Sequence, residues 1–134
     1  MSSEGYHEPI DRIATRTQEL HRGIVSLIEE FEAIDWYQQR ADACTDDELR
    51  GVLLHHRDEE IEHAMMNLEW LRRHSPEIDV RARTYLFTEG PILEVEARAE
   101  GKAGAAAGGS SSADGSLGIG GLRPRPAERE RRRR

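Results

Sequence analysis

Only one cysteine, Cys44, is present. A single thiol closes no disulfide within the chain, which fits a reducing cytosol and argues against a disulfide-stapled secreted scaffold. Long apolar runs are also missing: none exceeds a few residues, far short of the roughly 20 that a membrane-spanning helix requires. The opening Met1-Ser2-Ser3-Glu4-Gly5-Tyr6 has no basic segment followed by an apolar one, so it does not read as a secretory signal. Proline is absent between positions 10 and 75, which leaves a long stretch unbroken. Positive charge is scarce where aromatics and histidines are found. Residues 1–96 hold 10 Lys/Arg against 22 Asp/Glu, a net of −12, whereas residues 97–134 are +5. All six histidines and all seven aromatics lie in the first 87 residues, and eight of the twelve glycines in the last 38. The chain therefore divides into a folded part, residues 1–96, and a tail. The acidic folded part disfavours nucleic acid and favours cations. So short an acidic segment buries only a thin core, and domains of this kind complete themselves by association.

Two long helices are expected. Pro9 suits a first helical turn, and Ile10, Ile13, Thr17, Leu20, Ile24, Leu27, Phe31 and Ile34 follow at spacings of three and four, one apolar stripe that runs to about Ala43. Thr45-Asp46-Asp47-Glu48 then reads as a capping box with Thr45 as the cap. A second stripe follows through Leu49, Val52, Leu53, His56, Glu60, His63, Ala64, Asn67 and Leu71, and Ser75-Pro76 ends it. A short third helix is expected over Ile78–Thr88, stopped by Gly90-Pro91. No strand alternation appears. The fold class is all-α, a two-helix antiparallel hairpin plus a short third helix.

The second stripe is polar in its middle. Glu60 and His63 stand in line with core positions, and burying a carboxylate and an imidazole is costly unless they are paired or hold a metal. Glu-x-x-His alone is a weak signal. It occurs twice, and Glu4-Gly5-Tyr6-His7 lies outside any helix. Glu60-Ile61-Glu62-His63 gains weight from its position, which directs both donors inward at i, i+3. With the turn near position 45, Glu30 lies level with Glu60. A ferritin-like two-iron site takes one Glu from each of two helices and Glu-x-x-His from each of the other two. Glu30, Glu60 and His63 are half of that set, so two copies about a two-fold axis would complete a four-helix bundle and a two-metal site. Mixed carboxylate and imidazole ligands suit iron. Two metals a few Å apart can hold dioxygen or peroxide between them and supply one electron each.

The sequence resembles the encapsulated ferritins. The resemblance spans residues 1–96 and is dense across Ile24-Val25-Ser26-Leu27, Glu29-Glu30-Phe31-Glu32-Ala33-Ile34-Asp35-Trp36-Tyr37, Arg57-Asp58-Glu59-Glu60-Ile61-Glu62-His63-Ala64 and Tyr85-Leu86-Phe87-Thr88-Glu89-Gly90-Pro91-Ile92. It implies a ferroxidase centre formed across a dimer interface, two irons per interface, with the dimers in a decameric ring. It maps the iron ligands to Glu30, Glu60 and His63, with Glu30 bridging, and places Tyr37 beside the centre. Glu29, Glu32 and Trp36 map to a region through which metal reaches it. On residue chemistry alone Glu29, Glu32, Glu59 and Glu62 are solvated faces. His56, one turn before Glu60, reads as a satisfied core histidine or, alternatively, as a support beside the centre; Trp36, Tyr37, Met65, Met66 and Trp70 read as packing, with Tyr37 also a candidate catalytic, redox-active residue. The family's iron is mineralised inside a separate encapsulin shell, which implies a cytoplasmic protein within that compartment. The alternative is a cargo or scaffold protein that binds metal to assemble and turns nothing over.

Residues 97–114, rich in Ala, Gly and Ser, read as a flexible linker with an r.m.s. span of about 20–25 Å. Asp114-Gly115-Ser116-Leu117-Gly118-Ile119-Gly120-Gly121-Leu122-Arg123-Pro124 then sets three aliphatics on a glycine-rich backbone. Such a segment cannot fold alone but can lay Leu117, Ile119 and Leu122 into an apolar groove. Residues 115–124 resemble the encapsulin cargo-loading peptide. Residues 125–134 are a basic tail ending in Arg131–Arg134, with no family counterpart.

Overall fold

The computed structural model describes residues 5–107, and helices are the only regular structure among them. The long helices are α1, Thr15–Ala43, and α2, Asp47–His74; two shorter ones follow, α3, Pro76–Tyr85, and α4, Ile92–Ala107. Among the described residues no helix is long and apolar enough to cross a membrane. The expected peptide at 115–124, with Leu117, Ile119 and Leu122, and the basic tail lie outside the described residues.

The first helix does not start at Pro9. Ile10–Arg12 make a single 3-10 turn, Ile13 turns extended, and α1 begins at Thr15. The Gln18 side chain explains the interruption. Its Nε2 donates to the carbonyls of Ile10 at 3.3 Å and Ile13 at 2.9 Å, acceptors that a continuous helix would have satisfied through its own backbone. Nor is Thr45 the cap of the second helix. Asp46 is, accepting from the Leu49 N–H at 2.8 Å, and Asp47 and Glu48 then sit in the first turn, where the helix dipole favours them. Arg50 closes the hairpin. Its guanidinium donates to the carbonyl of Ala41 at 3.2 Å and to that of Cys44, both released at the end of α1, and pairs with Asp47 at 2.9 Å.

Pairs across the hairpin recur every seven residues: Gly23 against Trp70, Glu30 against His63, and Tyr37 against His56. Seven is the repeat of helices packed lengthwise. Gly23 marks a close approach. A Cβ there would lie 3.0 Å from both the Trp70 ring and the Leu71 side chain.

The pair does not bury its own stripe. Among the described residues the buried apolar side chains are Ala41, Ala64, Leu71 and Val95, and no large side chain is fully enclosed. Ile24 and Phe31, on the first stripe, are 42% and 50% exposed, and Met66 is 60% exposed. The packing expected of Trp36, Met65 and Met66 is therefore not completed within one chain, since all three are exposed, whereas the Trp70 ring packs against Gly23 and stacks on His74 at 4.1 Å. Tyr37 is half-buried. An apolar face on this scale marks an association surface.

Ser75 ends α2 and begins α3. Its hydroxyl accepts from the Ile78 N–H at 3.3 Å, with Pro76 in the first turn, so α3 starts earlier than Ile78 and stops at Tyr85. Charge locks this corner. Arg72 holds Glu69 at 2.7 Å and also bonds Asp79, Arg73 reaches Glu69 at 2.9 Å, and Arg83 reaches Asp79 at 3.0 Å. Arg72, and after it Arg73, hold the Glu69 carboxyl down at about 2, against an ordinary 4.5; Arg83 and Arg72 also depress Asp79. A carboxylate with a depressed folded pKa contributes stability that is present above its ordinary value and lost as pH falls toward the folded one. Melting followed by circular dichroism should therefore show Tm falling between pH 4.5 and about 2, the window set by Glu69, and Arg72→Ala should flatten that acid limb.

The last helix is a difference of another kind. α4 runs to Ala107, through the first part of the stretch read as a linker from residue 97. Alanine, with Glu96, Arg98, Glu100 and Lys102 among it, favours helix strongly enough to carry Gly101 and Gly104.

Candidate metal centre

Glu30 comes from the middle of α1; Glu60 and His63 come from consecutive turns of α2. One ligand atom from each lies within 4.8 Å of the others. His63 Nδ1 is 3.1 Å from Glu60 Oε2 and 3.9 Å from Glu30 Oε2. Glu30 meets both across the hairpin, hydrogen-bonded to the Glu60 carboxyl and 3.9 Å from His63 Nδ1. The inward direction is only partly realised. The two carboxylates are about a quarter exposed, but the His63 side chain is 51% exposed, so the group opens onto the outside of the helix pair.

Its electrostatics are those of a site short of positive charge. The hydrogen bond with Glu60, and then partial burial, push the Glu30 carboxyl up. The same bond from Glu30, and then the bond from His63, hold Glu60 down, with His56 adding a small pull in that direction. The bond between the two carboxyl groups thus moves their acidities apart, Glu30 up and Glu60 down. The Glu60 carboxylate raises His63, which favours the imidazolium. A divalent cation would compete with protons for these groups and turn the repulsion between the carboxylates into two attractions. Two oxygens and one nitrogen are a donor set that suits iron, and three protein donors leave coordination positions open.

The remaining expected residues lie around this group. Tyr37 is one seven-residue layer nearer the turn, outside the donor cluster. His56 meets it edge-on across the hairpin, centroids 5.3 Å apart at 66°, and the Arg40 guanidinium lies 5.4 Å from its ring centre. A ring pair of this geometry contributes about 0.5–1.5 kcal/mol beyond its buried area. Glu29 and Glu32 are exposed on either side of Glu30, and the Glu29 charge adds slightly to the rise in Glu30. Trp36 is exposed. The contact between His56 and Tyr37 is the feature the sequence reading missed. Its signal was the seven-residue spacing itself, because once position 63 faces 30, position 56 faces 37. Cys44 is half-buried at the turn, its thiol donating to the Asp46 carbonyl at 3.3 Å.

A family profile described as EncFtn-like matches residues 5–89 of the chain. The chain is 54% identical over 126 residues to the encapsulated ferritin-like protein of Rhodospirillum rubrum, a similarity that covers 91% of this chain and 90% of that one. It is 36% identical over 107 residues to a Myxococcus xanthus protein named as an encapsulin nanocompartment cargo protein, over 75% of this chain and 81% of the other. A crystal structure of a protein from Nitrosomonas europaea is similar at 52% sequence identity and a TM-score of 0.63, over 66% of this chain and 97% of that chain.

Proposed function

The chain belongs to the EncFtn-like family, and from that premise we propose that it is a ferroxidase. It oxidises Fe(II) to Fe(III) at a two-iron centre completed by a second copy of the chain, and delivers the iron for mineralisation inside an encapsulin shell in the cytoplasm. The observation that carries this reading is the grouping of Glu30, Glu60 and His63 within 4.8 Å on a face left open by a single chain.

Iron is the substrate. Glu30, Glu60 and His63 hold it, with Glu30 bridging the two ions, and each Fe(II) gives up one electron to dioxygen. Carboxylates tolerate the rise in charge because they can shift between one and two metal contacts. Glu29 and Glu32 draw cations toward the site by charge, beside Trp36, and Tyr37 stands next to it. One chain offers half the ligands of a ferritin-like centre, and its exposed Ile24, Phe31, Met65 and Met66 are the apolar surface a second copy would cover. A ring of five such dimers follows from the family resemblance.

Anaerobic Fe(II) titration, followed by exposure to air, tests the reading. Binding should saturate at about one iron per chain, the ratio of a two-iron centre shared by two chains. Catalytic turnover should follow in the near ultraviolet. Binding with metal-dependent assembly in native mass spectrometry, but without turnover, would replace the enzyme by a metal-dependent scaffold. Absence of binding would leave the polar layer a structural one.

A further inference from the structure

His56 stands one helical turn before Glu60 and is half-buried, yet it is not among the three donors. Its contact across the hairpin is the Tyr37 ring, met edge-on at 5.3 Å. Helical side chains lean toward the N-terminus of their own helix. Tyr37 therefore leans along α1 toward Glu30, and Glu60 leans along α2 toward His56. The Tyr37–His56 pair is thus the next layer to the three donors on the side of the hairpin turn. Arg40 lies against the same ring, 5.4 Å from its centre, but comes from the same helix and is itself exposed. Arg40 therefore gives the ring no anchor on α2.

We propose that His56 is a positioning residue: it fixes the Tyr37 ring across the hairpin and so holds the layer on the turn side of the iron centre in one arrangement. The role presupposes iron oxidation at Glu30, Glu60 and His63. His56 does not touch the metal donors in this arrangement. Its loss leaves iron binding intact and lets the tyrosine swing, so it alters the rate of oxidation and not the stoichiometry.

The test is stopped-flow Fe(II) oxidation by the full chain. His56→Ala should lower kcat about three- to tenfold, the rotamer bias an edge-to-face pair supplies, with KM and iron per chain unchanged. His56→Phe keeps the ring edge and should return kcat to within about twofold of the parent. In a Tyr37→Ala background, His56→Ala should cost nothing further. Should the alanine variant fail to fold, His56→Leu, which keeps bulk without a ring edge, serves the same comparison. The proposal is overturned if His56→Ala or His56→Leu matches the parent, if the loss is as large without Tyr37 as with it, or if the change falls on iron stoichiometry instead of kcat. Glu60→Ala run alongside keeps the two ideas apart. An active Glu60→Ala removes the ferroxidase reading itself, whereas an inactive one beside an unaffected His56→Ala removes only the role of His56.

Discussion

Glu60→Ala should lower the Fe(II) oxidation rate by at least about a hundredfold while leaving the helices as stable as before, or more so. Glu60 accepts from His63 Nδ1 at 3.1 Å and is hydrogen-bonded to Glu30. Its removal takes one of the proposed metal ligands and also frees the imidazole beside it. The proposed centre is built by two copies, so one substitution deletes two of its ligands. The fold responds in the opposite sense. Two carboxyl groups in one hydrogen bond repel whenever both are ionised, and alanine relieves that repulsion at a position where it is the better helix former. Glu30→Ala and His63→Ala should behave alike. Stopped-flow oxidation and thermal melting on the same preparations check both halves, and a rate for all three variants close to that of the parent would remove the metal centre from consideration.

The grouping of Glu30, Glu60 and His63 was legible because helical geometry needs little information. Glu60 and His63 share a face by spacing, and a hairpin turning near position 45 brings Glu30 near them whatever the finer register. The detail of the turn was not legible: Asp46 takes the cap in place of Thr45, and Arg50 bonds the Ala41 and Cys44 carbonyls. The break before Thr15 depends on a side chain, Gln18, that competes with the backbone for its acceptors, and periodicity does not see such competition. α4 hid behind its glycines, since Gly101 and Gly104 count toward a linker in composition while the alanines count toward a helix in propensity. Burial was the least legible quantity. A stripe through Ile24 and Phe31 tells which face is apolar but not whether the cover comes from the same chain, and one chain leaves both exposed.

Deleting residues 115–124 should reduce co-purification with a co-expressed encapsulin shell to background while the oxidation rate stays within about twofold of the parent. The two outcomes separate because the residues that serve them lie apart in the chain. The three proposed donors are at positions 30, 60 and 63, and the last described helix ends at Ala107. Leu117, Ile119 and Leu122 alternate with glycine and serine, too few aliphatics to form a core but well spaced to enter an apolar groove in extended form. Single substitutions should be far weaker than the deletion. An assembled cargo displays one peptide per chain, and several weak contacts at high effective concentration hold even when each is impaired. Leu122→Ala should therefore load nearly as well as the parent in the full assembly, and its defect should emerge when the same peptide is presented once, fused to a monomeric carrier. Loading that persists without residues 115–124 would move shell recognition elsewhere in the chain, and loss of oxidation on the same deletion would mean that the tail contributes to the centre.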